Sequence, residues 1–121
     1  TASGVSFMRI SLALFVYTKI CYSFAMQRYF EWDDHKADLN FRKHGIRFED
    51  AARVFDDPLA LSVQDRIEHG EQRWQTLGMV GGCVVLLVAH TLQLEDEGAE
   101  IIRIISARRA DRHERHHYEQ S

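Results

Sequence analysis

CVVLLVAHT, residues 83–91, is the stretch on which the fold turns. A strand with one face in water alternates apolar and polar side chains, whereas this run is apolar at nearly every position. It reads as a strand at the centre of a sheet, covered on both faces. On that reading Cys83, beside VVLLVA, is a small buried hydrophobe in a reducing compartment. LALSV (59–63), RWQTLGM (73–79) and EIIRIISA (100–107) also carry a β signal, and Gly- or acid-rich turns at 68–71, 81–82 and 95–98 separate the four runs. They are expected to be consecutive antiparallel strands.

Upstream, RYFEW (28–32) is short and aromatic, as a strand would be. Asp33 or Asp34 can cap a helix running to about His44, and Gly45 stands where a left-handed residue is wanted. Phe48, Ala51, Ala52 and Phe55 then make the apolar stripe of a second helix, which Asp56-Asp57-Pro58 stops. Downstream, RRADRHERHHYEQ (108–120) is a polar helix candidate, with Ala110, Glu114 and His117 or Tyr118 at helical spacing. The predicted order is β-α-α-β-β-β-β-α, an α+β domain. Two N-terminal helices and a C-terminal helix are expected on one side of a twisted antiparallel sheet. Trp32, Phe41, Phe48 and Phe55 read as core.

A chain of 121 residues with 45% hydrophobic and 11% aromatic content suits one domain with one core. Its formal charge of −3 argues against a uniformly basic nucleic-acid coat, yet Arg103, Arg108, Arg109, Arg112 and Arg115 crowd together near the end. Acidic residues gather elsewhere, at Asp33/Asp34, Glu49/Asp50, Asp56/Asp57 and Glu95–Glu97. A polyanion held on one face and a merely solvated helix face both fit this pattern. Two cysteines without a C-x-x-C spacing argue against a disulfide framework.

The first 25 residues differ from the rest. Arg9, the apolar run from Ile10 to Tyr17 and Ser23-Phe24-Ala25 imitate a secretory signal, but Lys19 cuts the apolar run too short for a bilayer span. Residues 1–25 are read as an extension, either signal-like or upstream of a natural start at Met26, and 26–121 as one domain. A membrane partner is not expected.

HERHH (113–117) matches the zinc-protease pattern H-E-x-x-H, with His113 and His117 one turn apart and Glu114 in the general-base slot. The context is wrong for catalysis, because the helix is terminal and only Glu119 follows as a further ligand. No catalytic metal is expected. A G-x-S-x-G nucleophile and a phosphate-binding glycine loop are both absent from the sequence. What remains is a set of basic and imidazole groups: Lys43 and His44 ending a helix, Arg73 opening a strand, and Arg108 and Arg109 where the last strand becomes a helix. Such groups suit metal-free chemistry on a phosphodiester.

FEWDDHKADLNFRKHGIRFEDAARVFDDPLAL, then R..TLG, VVLLVAHT and IRIISARRADRHERHHYEQ, is similar to the BrnT family of toxins from bacterial type II toxin–antitoxin systems. The resemblance covers Arg28 to about Glu119, and its specific elements are W-D-x-x-K-A-x-x-N-x-x-K-H-G and R-I-I-S-A-R. It implies a RelE-like fold and cleavage of RNA that arrests translation; a cytoplasmic location and no cofactor are expected alongside. It also implies a BrnA-like ribbon-helix-helix antitoxin through which the complex binds operator DNA. A non-catalytic nucleic-acid-binding or co-repressor module is the alternative.

Metal-free RNA cleavage needs a base for the 2′-hydroxyl, cations for the phosphorane and an acid for the 5′-oxygen. His44 is the candidate proton carrier, though capping a helix carbonyl would explain it equally. Lys43 is placed to hold phosphate or to complement the helix dipole. Arg108 offers a guanidinium fork from a strand end, or a salt bridge to Asp111, Glu114 or the antitoxin. Arg73 beside Trp74 could serve a stacked base or merely pack at the sheet edge, with Arg109 and Arg112 as further RNA contacts. Strand alternation puts Ile102, Ile104, Ser106 and Arg108 on one face and Arg103 on the other. His90 and Thr91 read as structural.

Overall fold

A computed structural model describes residues 8–9, 27–96 and 98–120. Its strands are β1 (Met8–Arg9), β2 (Arg28–Glu31), β3 (Leu61–Glu68), β4 (Glu71–Val80), β5 (Val84–Leu94) and β6 (Glu100–Arg109). The helices are α1 (Asp34–His44), α2 (Phe48–Ala52), which tightens into a 3₁₀ turn at Arg53–Asp56, and α3 (Arg112–Gln120). The sheet order is β1-β3-β4-β5-β6-β2. The run from β3 to β6 is antiparallel throughout, as expected. The sheet as a whole is mixed, because β2 pairs parallel with β6 through Arg28↔Glu100 to Glu31↔Arg103. β1 was not foreseen and pairs antiparallel with Leu61 and Ser62 of β3. The expectations for the rest of residues 1–25 lie outside the described residues.

The α1 boundaries follow from local chemistry. Asp33 accepts a hydrogen bond from the Lys36 amide at 2.9 Å, and Gly45 takes φ 72° while its N–H closes on Phe41 O. The carboxyl of Asp33 is held below its usual range, chiefly by that amide.

Two apolar clusters lie on opposite faces of the sheet, and β5 feeds both, as its continuous hydrophobicity required. Leu86 and Val88 join Phe48, Ala51, Val54, Ile102, Ile104 and Ala107 under α1 and α2. Val85 and Leu87 join Leu61, Leu77, Ala110 and Tyr118 under α3. The helices therefore do not share one side. A centre strand apolar on both faces needs cover on both, and α3 supplies the second. Close packing on the first face explains Gly78: a Cβ there would stand 2.6 Å from Val54 Cγ1. Phe41, expected in the core, is exposed under the Arg47 guanidinium, 5.1 Å from its ring centre. Cys83 is likewise exposed, in the Gly81–Gly82 turn just before β5 begins, so its neighbours in sequence misled.

One polar chain crosses the first face. Ser62 Oγ lies 2.7 Å from Thr76 Oγ1, which lies 2.7 Å from His90 Nε2, and His90 Nδ1 is 3.1 Å from Thr91 O. The carbonyl requires an Nδ1 donor, so Nε2 accepts from Thr76. The Phe55 ring seals the imidazole, edge to face at 4.8 Å. Burial pushes the His90 pKa down to about 4, partly opposed by the Thr91 carbonyl. The neutral ring is thus the folded form, and its contribution is present above the unfolded pKa and lost as pH falls from about 6.5 towards 4. Acidification from pH 7 to 5 should cost about 2 kcal/mol of stability. Urea unfolding at the two pH values measures this, and His90→Gln should flatten the dependence.

Candidate functional site

β6 carries one residue more than β5 can pair. Ala89 faces Ser106, but His90 faces Ile104, so Ile105 is the extra residue of a β-bulge. Side chains alternate with period two, and one inserted residue reverses every face beyond it. Arg108 therefore points to the α3 face, the same side as Arg103, contrary to uninterrupted alternation.

The register then sets three rows across that face: Arg73–Thr91–Arg103, Gln75–Ala89–Ser106 and Leu77–Leu87–Arg108. Small side chains at Ala89, Thr91 and Ser106 form the floor of a shallow trough, with Arg73 on one flank and Arg103 and Arg108 on the other. Neighbouring strands lie about 4.8 Å apart, so the flanks are roughly 10 Å apart at the backbone.

Each flank has its own anchoring. Arg108 Nη1 and Nη2 donate to the two oxygens of Glu114 at 2.8 and 2.9 Å, a bidentate pair in which Glu114 is buried. Glu114 also closes a capping box: Asp111 N–H donates to Glu114 Oε1 at 2.9 Å, and Glu114 N–H to Asp111 Oδ1 at 2.8 Å. Arg103 pairs with Glu71. Donation to Glu114 raises the Arg108 pKa further, and donation to Glu71 does the same for Arg103. Both cations are permanent. On the β4 flank, Arg73 Nε and Gln75 Oε1 are buried without a hydrogen-bond partner among the described residues. A donor and an acceptor stand two residues apart on the same face.

Trp74 pairs with His90, on the opposite face from Arg73, so the two do not share a site. Arg109 is exposed, one residue past Arg108 on the strand and on the opposite face. Arg112 is exposed on the outer side of α3, in a groove with His113, Arg115, His116 and Glu119. Lys43 is exposed and His44 half-exposed in the last turn of α1, which belongs to the other layer. Neither side chain hydrogen-bonds a trough arginine. Glu114, the would-be base of the zinc pattern, is engaged by Arg108 and the helix cap.

Sequence reasoning missed Asn40. Beyond Arg103 the outer edge of β6 has lost β2, and the buried Asn40 amide takes its place. It accepts from Ala107 N–H at 3.0 Å and donates to Ala107 O at 2.8 Å and Ile46 O at 3.1 Å. This fixes α1 to the residue before Arg108. The signal was present: an asparagine is a weak helix former inside a helix, at the N of the motif quoted above.

A family described as "Ribonuclease toxin, BrnT, of type II toxin-antitoxin system" matches residues 32–114. No curated protein matches the sequence. Among solved structures, the crystal structure of the Brucella abortus ribonuclease toxin BrnT aligns with a TM-score of 0.50 at 22% identity, covering 71% of this chain and 99% of that one. This likeness is one of fold.

Asn40→Ala should leave the Ala107 amide and carbonyl buried without partners and lower stability by about 2–4 kcal/mol. Asn40→Asp should also destabilise, because a carboxylate cannot donate to Ala107 O or Ile46 O. Chemical denaturation of the two variants tests the assignment, and an unchanged midpoint would refute it.

Proposed function

The chain belongs to the BrnT family of ribonuclease toxins of type II toxin–antitoxin systems, and from that premise we propose that it cleaves RNA in the sheet trough without a metal, arresting translation. The observation that carries this reading is the convergence of Arg73, Arg103 and Arg108 on one sheet face around small side chains. A phosphodiester fits between such flanks, with guanidinium forks aimed at its oxygens. In this reading the 2′-hydroxyl attacks the adjacent phosphorus, the 5′-oxygen leaves, and Arg108 stabilises the intervening charge. His44 is the candidate for the proton and Lys43 for a flanking phosphate, both from the layer opposite the trough, so the RNA has to pass over the end of the sheet to meet them. Asn40, on the same helix as His44, is hydrogen-bonded to both backbone groups of Ala107, the residue before Arg108. Arg73 contacts the chain from the other flank, with Arg112, exposed on α3, as an outer RNA contact, whereas Arg109 and Trp74 face the opposite layer.

A type II toxin has a protein antitoxin. We assign that role to a BrnA-like ribbon-helix-helix protein that covers the trough and binds operator DNA itself. A cytoplasmic site of action accompanies this reading. No helix among the described residues is long and apolar enough to cross a membrane.

Expression of the chain without its partner should stop growth of a bacterial host, and purified protein should cut RNA at discrete sites in the presence of EDTA. Arg108→Ala should lower cleavage roughly 100- to 1,000-fold, the cost of losing one preorganised donor to a developing charge. That variant also strands buried Glu114, at about 1–3 kcal/mol of stability, so Arg108→Lys serves as the folded companion and should still lose most of the activity. His44→Ala should be as damaging as Arg108→Lys. Undiminished cleavage in both, measured by primer extension, would remove this site from consideration.

A further inference from the structure

We propose that His113 and His117 form a bidentate transition-metal site on α3 that clamps the helix anchoring Arg108. The inference is independent of the ribonuclease reading and concerns a different surface. The two Nε2 atoms face each other across one helical turn at 3.2 Å, with ring centroids 4.7 Å apart and planes at 89°. Imidazole nitrogens bound to zinc at about 2.0–2.1 Å stand about 2.9 Å apart at a right angle and about 3.4 Å apart at the tetrahedral angle. The two rings are hydrogen-bonded to each other at a separation between these limits, so an ion that takes the place of the shared proton needs little change in that distance.

Among the described residues no group of three or more His, Cys, Asp or Glu side chains gathers here or elsewhere. The two imidazoles are thus the pair of ligands that the described residues offer. Arg112 and Arg115 lie on the same helix and oppose a dication, which disfavours magnesium or calcium held through oxygen. Ions that bind imidazole strongly, namely zinc, nickel and copper(II), offset that repulsion.

The position gives the site a consequence. His113 and His117 bracket Glu114, which holds Arg108, and His117 precedes Tyr118, whose hydroxyl donates to Asp57 Oδ2 at 2.5 Å. An ion bridging the two rings ties the first turn of α3 to the next and so stabilises the helix that sets Arg108. It takes no part in cleavage, and chelation removes the clamp without removing the cation.

The test uses the full chain without an affinity tag, titrated with zinc chloride. Calorimetry should give one zinc per chain, and zinc at about tenfold above its dissociation constant should raise the thermal midpoint by about 3–8 °C. Both effects should vanish in His113→Ala and in His117→Ala and persist in His116→Ala. Copper(II) should give a visible absorption band in the wild type that is absent from the same two variants. Should His117→Ala lose its fold by circular dichroism, His113→Ala, altered only at an exposed side chain, decides alone. Unchanged zinc stoichiometry in His113→Ala, or no binding by the wild type at millimolar zinc, overturns the proposal.

Discussion

One extra residue in β6 decides what the second face of this sheet can do. Without Ile105, alternation would carry Arg108 into the layer of α1 and α2, and Ala107 would turn towards α3. The bulge reverses this over the last four residues of the strand. Ala107 enters the first core cluster while Arg108 joins Arg103 on the opposite face. Asn40 then fixes the result. It pairs with both backbone groups of Ala107 on an edge that β2 no longer covers, so the strand cannot slip by one residue without leaving them bare.

The helix after the bulge depends on the same turn of chain. Glu114 is the point of contact, because one carboxylate caps α3 through Asp111 and holds Arg108 through both oxygens. Tyr118, one turn on, packs over Leu61, Leu77, Val85 and Leu87 and reaches Asp57. Asp57 in turn accepts from Met79 N–H at 2.8 Å and Leu59 N–H at 2.9 Å. The loop that ends the 3₁₀ turn, the edge of β4 and the end of α3 are thereby joined. Cover for the second face and orientation of Arg108 come from the same nine-residue helix.

Most of the fold was legible because it is written in local patterns. Asp33 and Gly45 frame α1 as read, and the apolar run of β5 does occupy a covered position inside the sheet. The errors have a common physical origin, since each concerns a property that is not local. The parallel pairing of β2 with β6 joins segments 72 residues apart, and no turn residue announces it. The bulge has no glycine to mark it, so alternation was carried straight through Ile105 and put Arg103 and Arg108 on opposite faces. Cys83 borders an apolar run in sequence and Phe41 is itself a large apolar side chain, yet a turn and a solvent-facing helix side leave them exposed. Of the site, the arginines were visible as a cluster in sequence. Glu114 already stood among the salt-bridge partners open to Arg108, whereas the pairing of Arg103 with Glu71 and the role of Asn40 depend on register and show only once the strands are paired.

The anchoring of Arg108 also determines how it can meet a phosphate. A guanidinium has five N–H donors. Two are taken by Glu114, and Nη1 reaches Arg109 O at 3.2 Å with another. The Nε–H and the second Nη2–H remain, and these form the side-on fork of the guanidinium. Arg108 can therefore hold a carboxylate at its tip and present a complete bidentate edge to a second anion, without leaving Glu114. The same pairing limits net charge in the trough: Arg73, Arg103 and Arg108 are balanced in part by Glu71 and Glu114, which leaves a formal excess of one positive charge. Attraction for a polyanion then comes mainly from directed donors held in place before it arrives, and only weakly from the overall field. A chain with a formal charge of −3 can in this way carry a phosphate-binding face, because the discrimination lies in the geometry of the forks.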